Sequence, residues 1–443
     1  MIERIPHPKT LKIIGGNPLR GEVTPIPNKN AIVAALPACV LTNQTVIYKN
    51  LPKTTDVLKL LGILKKLGAK VHDSDFSNIA INCSNIKTYE VDREQGNAIR
   101  ASILFAGPLL ARLGKAKIPL PGGCVLGRRS ISAHIDAFAK VGVKTEIKNG
   151  FAHFTKSNLK NTEFNIWMME ASVTATENLC MYCAGTNGTF NITEAACEPH
   201  ICQLLTMLSK MGAKIEGIGS NKVYIKGRKS LLGTEFVPEP DFVDIGGLIV
   251  ATAITKGKIR IKGANISYIV DGIVQCMEKF GIKIEKAGKD LVVDGSGELK
   301  IDPINSGFPM YGEDLPKLAP RPWPGFPVDL LPVIVVLACK TKGRILIQNW
   351  MYESGLEFTR ELTTMGADIF MADPHRIIIN GPIKFKGGKI TSPSVIQACK
   401  AIFLAALADK VETQLTGAEI LKRRYPDVIS VYKSLGANIE VLP

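Results

Sequence analysis

The sequence predicts an α/β protein of six similar units gathered into two equal lobes, and three observations predict it. A helix end, a glycine and a short β-type run recur six times. The six glycines lie 74, 70, 69, 85 and 70 residues apart. Prolines cluster at Pro25-Ile26-Pro27 and at Val237-Pro238-Glu239-Pro240, where the chain would pass between lobes. The copies run Ile63–Val71, Phe138–Thr145, Met207–Ile215, Cys276–Ile284, Leu362–Ile369 and Val431–Ile439, with glycines at 68, 142, 212, 281, 366 and 436. In each, the glycine supplies the left-handed residue that ends a helix, and apolar/polar alternation after it makes a half-buried strand. Between copies an apolar helix (Ala31 to Leu41, Ile245 to Thr255), a turn and a strand (Thr45 to Lys49, Lys258 to Lys262) recur in outline. Such a spacing is too long for a solenoid repeat and suits a small βαβ-containing unit. A strand pattern also precedes Pro25, and on the pattern alone it could join either lobe.

Composition narrows the function classes. The 443 residues are 46% hydrophobic and 21% charged, with 40 Gly and 26 Pro spread along the chain, which excludes a disordered or collagen-like protein. The longest apolar run, Leu330 to Cys339, is ten residues, well short of the ~20 needed to span a bilayer. No secretory signal is read at the N-terminus, so a cytoplasmic location is expected. Most of the ten cysteines sit in apolar runs, where a reduced thiol acts as a small hydrophobe. Cys180 and Cys183 have zinc-pair spacing but lack a second pair, so no metal is expected. The formal charge of +15 attracts anions. Its lysines are scattered, without an aromatic platform, so phosphorylated small molecules are favoured over nucleic acid or membrane.

Three segments place reactive side chains among glycines and prolines. Pro27-Asn28-Lys29-Asn30 runs into an apolar helix and reads either as an anion site or as an ordinary Asn-capped helix. Pro119 to Arg129 is a Gly/Pro-rich loop carrying Cys124 between glycines and arginines, either an acid or nucleophile on a lid or an incidental surface thiol. In Arg321 to Pro332, Asp329 follows a rigid loop and precedes an apolar helix, as a base or as a simple cap.

The six-unit order, together with Asn28-Lys29-Asn30, Arg100-Ala-Ser102, Gly107 to Arg112, Pro121-Gly-Gly-Cys124, Ser172 to Thr176, Ala196 to Pro199 and Pro324 to Asp329, resembles the enolpyruvyl transferases over essentially the whole chain. The resemblance implies a two-lobed inside-out α/β barrel of βαβαββ-type units, three per lobe, with helices inside and sheets outside. On this reading residues 1–26 and 239–443 form one lobe and 27–238 the other. It also implies that phosphoenolpyruvate and UDP-N-acetylglucosamine are the substrates, with an enolpyruvyl ether formed at the sugar 3-hydroxyl and phosphate released, at the first committed step of cell-wall peptidoglycan synthesis. No cofactor and a monomer are expected. A relative using another nucleotide or sugar acceptor, or a nucleotide-sugar binder without turnover, are the alternatives.

By position, Cys124 matches the family's loop thiol and proton donor, Lys29 and Arg129 match cations that bind phosphoenolpyruvate, and Asp329 matches the carboxylate at the sugar hydroxyl. Arg100, Arg129, Ser130, Ile131, Ser132, Ala133, Ser172 and Val173 match positions around the nucleotide sugar. Asn30, Glu198 and Met351 match further lining residues, and Arg423 a C-terminal arginine, in a register with Arg424 open by one. Three arginines usual in the family are replaced, by Phe242, Gly355 and Ile396. Lys400, Lys422 and Arg424 are the candidate substitutes.

Overall fold

A computed structural model describes residues 10–120, 130–157, 161–305 and 307–442. Cys124 and Arg129 lie outside them. The chain divides into two compact units, one made of the chain's start to Ile26 and Pro240 onward, the other running from Pro27 to Glu239. Each has its own hydrophobic core. Each is also tied at its ends by a backbone bond, Asn28 N–H to Glu239 C=O at 2.7 Å and Asp241 N–H to Ile26 C=O at 2.8 Å.

The repeat is visible in the sheets. Strand 188–193 lies parallel to 163–167 and antiparallel to 222–227, which pairs in turn with 214–216. The same order, parallel neighbour, central strand, last strand, third strand, recurs as 20–23, 258–261, 290–294, 283–287. It recurs again as 235–236, 45–49, 78–82, 70–72. In the last sheet the order is 388–391, 412–416, 10–14, 438–442, so the strand before Pro25 supplies the final strand of the sixth unit. All six repeat glycines have positive φ, between 74° and 107°, a conformation that costs a residue with a Cβ ~1 kcal/mol or more.

The first helix of every repeat is packed inside its unit. These inner helices are α1 (Lys29–Ala38), α2 (Ala106–Leu113), α3 (Val173–Ala184), α4 (Phe242–Ile254), α5 (Leu331–Lys340) and α6 (Ile396–Ala408). Every residue of α4 is buried, as is all of α5 except Lys340 and all of α6 except Gln397. A helix apolar around its whole circumference has no face to offer water, which is why the second helices, such as Thr55–Leu67 and Pro199–Lys210, and the sheets lie outside. The six-unit α/β fold with helices inside is therefore the observed one. Among the described residues no helix is long and apolar enough to cross a membrane.

Strand 10–14 tests the closure of the sixth sheet. Ile13 is fully buried and Ile14 is exposed. Ile13→Ala should lower stability by ~2–4 kcal/mol in urea unfolding and Ile14→Ala by under ~1 kcal/mol. Equal losses would mean that the strand is registered on the other face.

Candidate active site

Polar chemistry gathers where the inner helices begin. In the unit spanning 27–239, Asn28 caps α1, its Oδ1 accepting from Asn30 N–H at 3.0 Å and Ala31 N–H at 3.1 Å. Lys29 opens that helix, and its Nζ lies 2.6 Å from Asp56, both side chains being largely buried. Asn30 follows, half-buried. Arg100 begins the 3₁₀ turn Arg100–Phe105 that leads into α2. Ser130, Ile131, Ser132 and Ala133 start the outer helix Ser132–Ala139, where Ser132 N–H donates to Ser130 Oγ at 2.9 Å. Ser172 and Val173 form the start of α3. Glu198 precedes Pro199 at the head of helix Pro199–Lys210.

Buried polar contacts lie beside these positions. His134 Nε2 meets Thr174 Oγ1 at 3.0 Å, and Asn178 Nδ2 donates to His134 Nδ1 at 3.0 Å. Asn178 also accepts from Gly107 N–H at 2.6 Å, fixing α2 on α3. Burial, with the charge of Arg100 second, pushes His134 down to about 3, so the ring is neutral at physiological pH. On the same helix Glu177 lies 3.8 Å from His200. Its carboxyl is pushed well up by burial and then by Glu198. Gln203 Oε1 accepts from Glu239 N–H, whose own carbonyl receives Asn28 N–H. Polar contacts thus link Asn28 to helix Pro199–Lys210 through Glu239, and α3 to His134 through Thr174 and Asn178.

In the other unit, Asp241 caps α4 through Oδ1, which accepts from Val243 N–H at 2.9 Å and Asp244 N–H at 3.4 Å. Arg424 grips the same carboxylate with two bonds, Nε to Oδ2 at 3.0 Å and Nη2 to Oδ1 at 2.9 Å. Its remaining nitrogen, Nη1, lies 3.6 Å from Asp329 Oδ2. Burial opposes the Arg424 charge, but Asp241 first, then Tyr425 and Asp329, more than offset it and hold the guanidinium above its ordinary range. Asp329 sits in the 3₁₀ turn Val328–Leu330 before α5, and neither element receives a side-chain cap bond. The simple-cap reading of Asp329 therefore fails. Its carboxylate instead lines a cavity of about 210 Å³ shared with Gly355, Arg360, Glu361, Val395 and Ala398.

The cationic departures find physical accounts here. A Cβ on Gly355 would stand 2.0 Å from Asn349 Nδ2, so a side chain at 355 would require the Asn349 amide to shift. Ile396 is buried as the first residue of α6. Phe242 is buried against Trp323, ring centroids 5.7 Å apart. Of the candidate substitutes, Arg424 is buried and committed to the two aspartates, whereas Arg423 is half-buried. Lys422 is exposed. Lys400 is buried inside α6 with its Nζ over the rings of Tyr432 at 4.2 Å, Tyr425 at 4.5 Å and Phe403 at 5.5 Å, and has no hydrogen-bond partner. Met351 is half-buried, its N–H donating to Asn349 Oδ1 at 3.3 Å. Cys180 and Cys183 are buried one turn apart in α3, and no metal-ligand cluster occurs among the described residues.

Sequence reasoning missed Asp56, His134 and the cap role of Asp241. Thr54 before Asp56, and Pro240-Asp241 before an apolar run, carry helix-start signals that could have drawn attention to two of them.

A model of the EPSP synthase (3-phosphoshikimate 1-carboxyvinyltransferase) family matches residues 13–431. The chain belongs to this family. Within it, the chain is 36% identical to a UDP-N-acetylglucosamine 1-carboxyvinyltransferase of Treponema denticola, over 97% of this chain and 98% of that one. It is 35% identical to a protein of the same name from Bradyrhizobium diazoefficiens, over 97% of each. Among solved structures of the enolpyruvyl transferase fold it is similar to NikO from Streptomyces tendae, with TM-score 0.85 and 22% identity over 99% of this chain and 100% of that one. It is also similar to EPSP synthase from Acinetobacter baumannii, with TM-score 0.74 and 18% identity over 98% and 100%. Those two likenesses establish the fold of this family member.

The position of Lys400 in this carboxyvinyltransferase-family chain gives a stability test. Burial, partly offset by Asp244, lowers its ammonium to about 8 from an ordinary value of 10.5. Between those values the unfolded chain binds a proton that the folded chain does not, so stability should rise with pH across pH 8 to 10.5 and stay low below it. Lys400→Met should flatten that rise in the thermal midpoint relative to the parent chain. A parallel rise in both would place the titration elsewhere.

Proposed function

We propose that this chain transfers the enolpyruvyl group of phosphoenolpyruvate to the 3-hydroxyl of UDP-N-acetylglucosamine with release of phosphate, acting as a monomer at the first committed step of peptidoglycan synthesis. The observation that carries the reading is the match over nearly the full chain, at 36% identity, to proteins named for that carboxyvinyl transfer. The site residues named below support it through their chemistry.

The chemistry sets what the residues must do. The sugar oxygen bonds to C2 of phosphoenolpyruvate, its proton passes to a base, and C3 receives a proton, which gives a tetrahedral ketal. The C2–O bond to phosphate then breaks while C3 gives up a proton, so the vinyl group is restored and no net proton is gained at carbon. In our assignment Asp329 takes the hydroxyl proton and Cys124 delivers the proton to C3. Lys29, Arg129 and Arg423 meet the phosphate and carboxylate. Asn30, Arg100, Ser130, Ile131, Ser132, Ala133, Ser172, Val173, Glu198 and Met351 surround the nucleotide sugar. The cavity-facing, uncapped Asp329 supports its role as base. The ion pair with Asp56 supports that of Lys29, since it holds a cation in one place at the head of α1, where the helix dipole also favours an anion.

The test is phosphate release from phosphoenolpyruvate with UDP-N-acetylglucosamine and, in parallel, with other nucleotide sugars. Release should require phosphoenolpyruvate and UDP-N-acetylglucosamine together. Asp329→Asn should reduce kcat by ~10²-fold or more with the thermal midpoint nearly unchanged. Release only with a different acceptor would replace the acceptor in this scheme.

The role of Cys124 gives a separate prediction. It should be the thiol most readily alkylated by fosfomycin, an epoxide phosphonate resembling phosphoenolpyruvate, with the nucleotide sugar accelerating the reaction, and Cys124→Ser should suppress turnover. Peptide mass spectrometry locates the adduct. A label on another cysteine removes Cys124 from the mechanism.

A further inference from the structure

Arg424 touches both aspartates at the heads of α4 and α5. Asp241 and Asp329 lie 88 residues apart in sequence, and each precedes an inner helix of its own repeat. Arg424 comes from a third repeat, beside the turn Ala418–Arg423 that follows strand 412–416. Its guanidinium is 2% exposed and the Asp241 side chain 0%, whereas Asp329 is 24% exposed. The plane of an arginine fork is fixed by two parallel bonds to one carboxylate. With Nε and Nη2 bonded to Asp241, the guanidinium plane is fixed and its Nη1 stands 3.6 Å from Asp329 Oδ2. Asp241 cannot drift, because its Oδ1 is also the cap of α4. The orientation of Asp329 is therefore referred, through one rigid side chain, to the axis of a fully buried helix.

We propose that Arg424 is a positioning residue that holds the Asp329 carboxylate at the cavity wall, with Asp241 as its anchor. The inference rests on the assignment of Asp329 as the base for the acceptor hydroxyl. It explains why a chain with Phe242, which carries no charge, after the α4 cap retains a cation at that cap: the cation arrives from 182 residues further on. The groups facing this pair on its packed side are Asp241, Asp244, Lys400 and Tyr425. On the cavity side they are Glu357, Arg360 and Glu361. Of these, Arg424 forms an ion pair with Asp329 at 3.6 Å.

Two variants and two readouts test it. Arg424→Lys keeps a charge for Asp241 but cannot span both carboxylates, and Arg424→Gln removes the charge. Turnover should fall at least tenfold in kcat in Arg424→Lys and further in Arg424→Gln, with KM for both substrates within twofold. A merely structural residue would move the thermal midpoint and leave kcat of the folded fraction as in the parent. Wild-type kcat in Arg424→Lys overturns the proposal, and so decides it even if Arg424→Gln fails to fold. The second readout needs no turnover. In protein labelled with ¹³Cγ aspartate, the Asp329 resonance is identified by its absence in Asp329→Asn and compared in the parent and in Arg424→Lys at one pH. An Asp329 resonance that is displaced or broadened in Arg424→Lys supports the hold, and one that is unchanged overturns it. If Asp329→Asn keeps full activity, the assignment of Asp329 as base fails, while the resonance still decides whether Arg424 holds that carboxylate.

Discussion

The constraint on which the rest of the structure depends is the burial of the inner helices on every side. A residue in the middle of α4 meets other helices on one side and the backs of sheets on the other, and all thirteen of its residues are buried. Charge placed there would lose its hydration, a cost of several kcal/mol per ion that only an equally buried partner offsets. The repeats therefore leave one kind of place for chemistry, the helix starts, where backbone N–H groups lack intrahelical partners and side chains must supply them. Lys400 is the exception that measures the rule. It stands one turn inside α6, and the fold accommodates it with three aromatic faces and the field of Asp244 rather than with a hydrogen bond.

The two units use their helix starts in different electrical ways. Between α2 and α3 the buried network is neutral: His134 has lost its proton, and Asn178 serves as both donor and acceptor across three segments. At α4 and α5 the network is ionic, two carboxylates held by one guanidinium. A neutral network is insensitive to ionic strength and fixes geometry through many weak bonds. An ionic one fixes it through a few strong, directional bonds and sets the protonation state of its members. The second arrangement suits a carboxylate that must stay ionised while partly open to a cavity, as Asp329 is.

How much of this could be read from the sequence follows the range of the interactions. The six glycine turns, strands such as 45–49 and 258–261, and the Asn28 cap are set by residues within a few positions of one another, and periodicity and capping rules find them. The place of strand 10–14 was open because its partners are 412–416 and 438–442, at the far end of the chain. The register of Arg423 against Arg424 is open in the sequence for a local reason. Three cations stand in a row, and their burial differs only in the fold: Lys422 is exposed, Arg423 half-buried and Arg424 buried. The partner that makes burial of Arg424 tolerable, Asp241, is 183 residues away. The sequence leaves Asp329 as either a base or a cap, and the cap reading is dismissed only by the absence of a side-chain cap bond at the start of α5.

The repeats also show how one starting design was taken in two directions. Pro27-Asn28 and Pro240-Asp241 occupy the same place in their repeats, each just before an inner helix. Each places one side-chain oxygen on the N–H groups two and three residues ahead. With a neutral cap at Asn28, the next residue carries the cation, Lys29, and Asp56 from the following helix steadies it. With a charged cap at Asp241, the next residue is Phe242, packed on Trp323, and the cation comes from Arg424. A lysine at 242 would compete with Arg424 for a carboxylate whose two oxygens are already engaged, and an aspartate at 28 would take Lys29 away from the position that Asp56 gives it. Cap identity and cation origin are thus coupled choices, and the coupling decides which helix start can present its cation outward and which uses it to hold a carboxylate in place.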